Sequence, residues 1–185
     1  MADEPPSPSS PLSDFQSYLL LLARTQLEDS PRVRIDPQDA VQQTLAIAQE
    51  NLHQFRGKSN RELAGWLRTI LANHLRDLFR RTGRECDEQT LARQLEQSSA
   101  RLDEILAAEQ SSPSQRVSEG ENMLRLADAL RELPEEQRQA IELRHLKGLP
   151  LTEISESMGK TMPAVGGLLQ RGLKALREKL GHGVE

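Results

Sequence analysis

The amino-acid sequence predicts an all-α protein, and three observations support this prediction. Leu, Ala, Gln, Glu and Arg dominate the 185 residues, whereas alternating runs of β-branched residues are scarce. Apolar residues recur at helical spacing in several segments, and helix-capping signals stand at their ends. Aromatic residues make up 3% of the chain and hydrophobic residues 36%. We therefore expect two small helical domains joined by a flexible linker rather than one large core.

The first helical domain is predicted over residues 12–81. It follows a leader at 1–11 whose Pro, Ser and acidic residues are typical of disordered chain. One helix is predicted over Phe15–Leu27, and a turn around Ser30–Pro31 ends it. A second helix spans about 36–52, where an Asp and then a Pro suit the cap and first-turn positions.

A third helix is predicted from about Glu62 to Arg81, after a basic segment at 53–61 that holds one aromatic residue, Phe55. Its apolar residues give it a broad buried face. Four of its residues, placed four apart, are interpreted as an exposed strip: Arg68, Ala72, Arg76 and Arg80. Asn73 and Asp77 would lie beside that strip. An ordinary solvated charged face is the alternative interpretation.

An acidic linker is predicted over residues 82–120, where the composition shifts to Gln, Ser and Glu. It contains a predicted helix from Thr90 to Ala108 and a flexible joint at 111–115, where Ser and Pro cluster. A second compact domain is then predicted over 121–182.

The second domain contains the most informative stretch, residues 151–177, which follows a helix predicted over Glu135–Leu146. Gly159 can end a short helix, because glycine enters the left-handed conformation without strain. Thr161 can cap a longer helix, and Pro163 falls in its first turn, where a missing N–H costs little. This pattern predicts a helix-turn-helix whose second helix enters the DNA major groove. The alternative is an ordinary helical hairpin.

The charges are segregated along the chain, although the net charge is only −4. Basic residues cluster at 56–84 and again at 160–179, whereas 85–136 is acidic. Phosphate neutralisation supplies most non-specific DNA affinity. We therefore expect local DNA contacts on a chain that binds DNA weakly without a larger partner.

The sequence offers no residues for catalysis, so we predict that the protein is not an enzyme and needs no cofactor. The four histidines are scattered, with no close pair for a metal. The single Cys86 excludes a disulfide within the chain and fits a reducing cytoplasm. No apolar run approaches the ~20 residues needed to span a membrane, so we expect no membrane insertion.

Taken together, these segments resemble the bacterial sigma-70 family, specifically its extracytoplasmic-function (ECF) group, which has only regions 2 and 4. The resemblance covers about 12–81 and 121–180. The segments that carry it are DPQDAVQQTLAIAQENLHQFRG, ELAGWLRTILANHLRDLFRR and LRELPEEQRQAIELRHLKGLPLTEISESMGKTMPAVGGLLQRGLKAL. The last is the most specific. The resemblance implies a region 2 bundle, a region 4 helix-turn-helix and, as partners, core RNA polymerase and promoter DNA.

The resemblance also implies roles for individual residues of region 2. The contacts with core polymerase would be Asp39, Gln42 and Thr44, unless that helix is a plain amphipathic surface helix. The −10 element would be met by Arg56, Lys58, Arg61, Asn73, Asp77, Arg80 and Arg81. Phe55 is equally well explained as a base-stacking residue or a core anchor, whereas Trp66 fits the core. Asn73 and Asp77 could instead bond neighbouring arginines.

In region 4, the residues implied to face the −35 element are Lys160, Thr161, Ala164, Gly167, Leu168 and Arg171. The chain departs here from the pattern of ECF recognition helices, which often carry basic or polar residues where it has Gly166, Gly167 and Leu168. Without long donors, readout should depend on thymine methyl groups, phosphates and DNA shape.

The leading hypothesis is therefore a sigma factor that recruits core polymerase to a promoter and helps to open it. One alternative is a stand-alone helix-turn-helix regulator that binds duplex DNA without polymerase. Another is a sigma-like protein that binds only partner proteins. ECF relatives are commonly held by an anti-sigma factor, and the sequence leaves open whether this chain has one.

Overall fold

The structure is a computed structural model that describes residues 12–27, 34–83, 87–109 and 119–181. Every regular element within these ranges is helical, which confirms the predicted all-α class. None of the helices in these ranges is both long and apolar enough to cross a membrane. The predicted leader, the Ser30–Pro31 turn, the joint at 111–115 and Cys86 lie outside the described residues.

The described ranges contain eight α-helices. They are α1 (Gln16–Leu27), α2 (Pro37–Asn51), α3 (Asn60–Arg81), α4 (Glu88–Glu109), α5 (Glu119–Arg131), α6 (Glu135–Ile141), α7 (Leu151–Met158) and α8 (Met162–Gly181). A 3₁₀ turn at Leu12–Phe15 precedes α1, and another at Leu52–Gln54 follows α2. We refer to α1–α3 as the amino-terminal bundle and to α5–α8 as the carboxy-terminal bundle.

Local signals fix the starts of the helices in the amino-terminal bundle. The Asp36 carboxylate accepts a hydrogen bond from the Gln38 N–H at 2.8 Å and so caps α2. Ser59 and Glu62 form a capping box at the start of α3. The 3₁₀ turn before α1 and the helices α1 and α3 then supply large buried apolar side chains: Phe15 from the turn, Tyr18, Leu19 and Leu22 from α1, and Leu67, Leu71, Leu75 and Phe79 from α3.

The carboxy-terminal bundle differs from the prediction at Glu135–Leu146, where the structure has α6 followed by a π-helical turn at Glu142–Leu146. The Lys147 N–H donates to the Glu142 carbonyl at 3.0 Å, five residues back instead of four. A contact from outside the bundle holds this turn, since the Arg101 guanidinium of α4 donates to the Leu146 carbonyl at 2.6 Å.

Helix α4 lies between the two bundles and packs on both. It contacts α1 and α3 on one side and α5 and the π-helical turn on the other. Its buried residues recur at helical spacing: Leu91, Leu95, Ser98, Ser99, Leu102, Ile105 and Leu106. The described part of the predicted linker is therefore a component of the hydrophobic core.

A buried polar network ties α4 to the amino-terminal bundle. The Tyr18 hydroxyl donates to Ser99 Oγ at 3.0 Å and accepts from the Arg68 guanidinium at 2.8 Å. Arg68 also reaches Ser99 Oγ at 3.3 Å. Burial raises the pKa of Tyr18, although Arg68 acts in the opposite direction. One network thus joins α1, α3 and α4.

The two bundles also contact each other directly. Helix α5 packs on α1 and α3, and the buried Glu142 lies 3.6 Å from Arg24 of α1 and 3.5 Å from Arg138 of α6. A single hydrophobic cluster runs from α1 through α4 into α5, α6 and α8. The described residues therefore form one closed body.

Candidate nucleic-acid interface

The basic loop, residues 55–61, connects the 3₁₀ turn after α2 to the first turn of α3. The side chains of Arg56, Lys58 and Arg61 are exposed on it. This places three cations close together at one end of the amino-terminal bundle, as a site for single-stranded nucleic acid requires.

The one aromatic residue of this loop, Phe55, is half-buried and packs against Trp66 of α3. The centroids of the two rings are 5.5 Å apart, and the rings are tilted by 39°. Both rings rest on the hydrophobic core, so Phe55 anchors the loop in this structure. Phe55 as a whole stays partly accessible to solvent.

A second group of basic residues lies at the carboxyl end of α3. Arg80 and Arg81 are exposed, and the Arg80 side chain retains 79% of its accessible surface. Asp77 is half-buried and lies 3.6 Å from both Arg76 and Arg80. The alternative that Asp77 pairs with neighbouring arginines thus describes the structure.

The predicted exposed strip along α3 is wrong in its amino-terminal half. Ala72 is buried with 4% of its surface accessible, and Arg68 turns inward to Tyr18 and Ser99. An α-helix has 3.6 residues per turn, so positions four apart drift by about 40° at each step. Arg68 and Arg80, three steps apart, therefore face different sides of α3.

The helix-turn-helix geometry agrees with the capping signals in the sequence. Gly159 adopts a left-handed conformation with φ 61° and ψ 34° and ends α7. The Lys160 N–H donates to the Ser155 carbonyl at 3.0 Å. The Thr161 hydroxyl then accepts from the Ala164 N–H at 3.3 Å and caps α8. Val165 and Ile154 pack together with Leu143 in a small core of their own.

Of the residues expected to face the −35 element, Thr161, Ala164 and Arg171 are exposed and Gly167 is half-exposed. Lys160 is engaged, because its ammonium lies 2.7 Å from the Glu136 carboxylate of α6. The Arg171 guanidinium folds back over Gly167, where an added Cβ would lie 3.2 Å from it.

Leu168 was expected to face DNA, and the structure contradicts this, because only 6% of its surface is accessible. It lies on the same side of α8 as Gly172 and Leu176, both buried. A Cβ on Gly172 would stand 2.7 Å from Ile141 of α6, so α6 and α8 approach closely here. Leu168 therefore belongs to the buried side of α8.

The expected polymerase-binding residues also divide into two groups. Asp39 and Gln42 are exposed on α2. Thr44 is fully buried, and its hydroxyl donates to the Ala40 carbonyl at 2.8 Å, so the expectation that it contacts a partner is wrong. Thr44 lies four residues from both Ala40 and Ala48, which are also buried, and this spacing was a readable signal.

Sequence reasoning missed two exposed apolar residues on these surfaces. Met162, in the first turn of α8, is 50% accessible, and Ile47 on α2 is 37% accessible. Met162 stands between the cap Thr161 and Pro163, where an apolar residue has no core to enter. Ile47 lies on the exposed side of α2, one helical turn from Gln43.

Two glycines of the helix-turn-helix predict opposite responses to the same substitution. Gly159→Ala should destabilise the protein by about 1–2 kcal/mol, because a side chain is strained in the left-handed conformation. Gly166→Ala should stabilise it by up to ~1 kcal/mol, since Gly166 is helical and has open space around its Cβ position. Chemical denaturation measures both, and changes of the same sign would contradict this account.

No group of three or more His, Cys, Asp or Glu residues that could hold a metal ion occurs in the described ranges.

The comparisons with known proteins concern both bundles. Residues 15–85 match the family model described as Sigma-70 region 2, and residues 123–176 match the model described as Sigma-70, region 4. Among solved structures, the chain is similar to the sigma factor RpoE from Bartonella quintana, crystallised with the anti-sigma factor NepR. The identity is 22%, the match covers 93% of this chain and 95% of that chain, and the TM-score is 0.36.

Proposed function

This chain belongs to the sigma-70 family, and from that membership we propose that it binds core RNA polymerase and directs promoter recognition and opening as an ECF-type factor. The observation that carries the proposal is the order of the two family matches, region 2 before region 4, with exposed basic residues in each matched segment. The chain acts by binding alone and catalyses no reaction.

The −10 element is proposed to meet the basic loop and the carboxyl end of α3. Arg56 and Lys58 offer cations to an unpaired strand, and Arg80 and Arg81 neutralise its phosphates. Arg61 and Asn73 complete this set. Preferential binding of unstacked bases favours the open state, as it does for flipped nucleotides in other proteins. The half-buried Phe55 belongs to the same loop.

The −35 element is proposed to meet the exposed amino-terminal face of α8, formed by Thr161, Met162, Ala164, Gly167 and Arg171. Few long side chains project from this face, because Ala164 and Gly167 occupy its middle. The helix backbone can therefore approach the major groove closely, and Met162 and Ala164 can contact thymine methyl groups. Lys160 would first have to leave Glu136 to reach a phosphate.

Core polymerase is proposed to bind the exposed side of α2, where Asp39, Gln42 and Ile47 are accessible. This side combines polar groups with one accessible apolar residue, and protein interfaces likewise combine polar and apolar groups. Control by an anti-sigma factor stays a prediction from the resemblance.

The closed body must open for both elements to be bound at once. The −10 and −35 elements are named for their positions and therefore lie about 25 base pairs apart, which is about 85 Å at 3.4 Å per base pair. A 185-residue chain folded as one body has a radius of gyration of about 16 Å and hence a diameter of about 40 Å. We infer that α4 releases at least one bundle when polymerase binds.

Reconstitution with core polymerase tests the proposed function. The purified chain is mixed with core enzyme and genomic DNA, and the 5′ ends of the transcripts are sequenced. The proposal predicts a set of starts that share upstream sequences and that disappear when the chain is omitted. Starts that are the same with and without the chain would contradict it.

A further inference from the structure

The Glu62 carboxylate gathers three hydrogen bonds from the basic loop. One of its oxygens, Oε2, accepts from the Lys58 N–H at 2.7 Å, from the Ser59 N–H at 3.1 Å and from the Ser59 hydroxyl at 3.1 Å. The Glu62 N–H in turn donates to Ser59 Oγ at 3.2 Å. Two successive backbone amides of the loop therefore converge on one side chain.

This arrangement goes beyond a helix cap. A capping box needs the Glu side chain to accept only from the N-cap N–H, here that of Ser59. The additional bond from the Lys58 N–H fixes the backbone of the loop one residue further from α3, toward Arg56. It is also the largest of the effects that lower the pKa of Glu62, followed by the bond from the Ser59 side chain.

A carboxylate is an unfavourable neighbour for a DNA-binding loop, because it repels the phosphates that the loop attracts. Glu62 is nevertheless exposed among Arg56, Lys58 and Arg61. Its electrostatic effect on DNA is therefore adverse, and its contribution must come from the shape that it gives the loop.

Gly57 constrains the same loop from the other side. A Cβ at Gly57 would stand 2.4 Å from Phe55 Cζ and 2.8 Å from Glu62 Cβ. The backbone thus passes between the Phe55 ring, which rests on Trp66, and the stem of Glu62. Only a residue without a side chain fits this gap.

We propose that Glu62 and Gly57 are positioning residues that set the path of the basic loop, so that Arg56 and Lys58 are presented together to the unpaired promoter strand. The inference rests on the proposed function of the loop. Neither residue needs to touch DNA. The Glu62 carboxylate holds the backbone of the loop, and Gly57 leaves the space through which it runs.

The test uses reconstituted holoenzyme and a promoter template whose −10 region is already unpaired, so that binding to single strands is measured directly. Glu62→Ala should weaken binding about tenfold or more, although it removes a negative charge, because the backbone amides lose their acceptor. Glu62→Gln keeps a carbonyl acceptor and should stay within about threefold of the original protein. Gly57→Ala, which changes no charge, should weaken binding as Glu62→Ala does.

Ser59→Ala is the matched control, because it removes the capping hydroxyl and leaves the amide bonds to Glu62. It should lower the thermal midpoint and leave template binding within about threefold. The inference is overturned if Glu62→Ala and Glu62→Gln both bind as well as the original or better, as an exposed carboxylate that only repels DNA would predict. It is also overturned if Ser59→Ala weakens binding as much as Glu62→Ala, or if Gly57→Ala has no effect.

A double variant, Arg56→Ala with Lys58→Ala, separates this inference from the proposed function. If the double variant binds the template normally, the loop does not contact DNA and both proposals fail. If it binds weakly while the Glu62 and Gly57 variants bind normally, only the positioning role fails. Affinity for core polymerase should be unchanged in every variant, since α2 is untouched.

Discussion

Replacing Arg80 and Arg81 together with alanine is expected to reduce promoter opening by reconstituted holoenzyme about 30- to 150-fold. Both side chains are exposed at the end of α3, where they can each neutralise one phosphate of the opened strand. Two such contacts at about 1–1.5 kcal/mol each give this factor. The salt dependence of binding should also fall by about one unit of slope for each arginine removed.

Charge alone is controlled by a second double variant, Arg93→Ala with Arg131→Ala. These two arginines are also exposed, on α4 and at the end of α5, and lie outside every proposed contact. The net charge changes equally in both double variants. Equal losses of promoter opening in the two double variants would show that only the overall charge matters. If neither variant loses opening, the end of α3 does not contact the promoter.

A large change in the distance between the bundles is the second expected effect. Dyes attached through Ser13→Cys in the 3₁₀ turn before α1 and Lys174→Cys on α8, in a chain carrying Cys86→Ser, report this distance by energy transfer. Both labelled positions are exposed. In the free chain the dyes should be separated by no more than about 40 Å, the diameter of a closed body of this size. On a promoter with polymerase the separation should approach about 85 Å.

A label pair within the amino-terminal bundle, Ser13→Cys with Gln54→Cys, controls for effects of polymerase on the dyes themselves. Its transfer efficiency should not change, because the two 3₁₀ turns that carry these labels both contact α2. An unchanged signal from the Ser13–Lys174 pair on the promoter complex would contradict the opening of the closed body.

The sequence was sufficient wherever the determining interactions are local. Gly159 and Thr161 predicted the end of α7 and the cap of α8, because both residues act through backbone groups within four positions. The capping box of Ser59 and Glu62 was equally readable in the pattern Ser-x-x-Glu. Its extension to the Lys58 N–H was not, since that bond depends on the path of the loop.

The sequence was insufficient where the burial of a face depends on a partner that is distant in the chain. Helix α4 was predicted as a helix, but nothing local indicates that Ser99 meets Tyr18, which is 81 residues away. That same contact draws Arg68 inward and ends the exposed strip. Leu168 lies on the buried side of α8, where Gly172 meets Ile141, and this approach becomes visible only once α6 and α8 are packed.

The burial of Thr44 has a different cause. A threonine can enter a core when its hydroxyl bonds its own helix, as Thr44 does to Ala40. Its polar character suggested a contact surface, whereas its spacing between Ala40 and Ala48 indicated the core. At this position the helical period was the better guide.

The central claim is that the chain selects a promoter only together with core polymerase. Its most direct test compares one promoter fragment, recovered from the sequenced starts, with a shuffled fragment of equal length. Binding of each to the purified chain is titrated with and without core polymerase at fixed salt. We expect the chain alone to bind both fragments weakly and equally, and the complex with polymerase to retain only the promoter. Tight, promoter-selective binding by the chain alone would contradict it and would favour a stand-alone regulator.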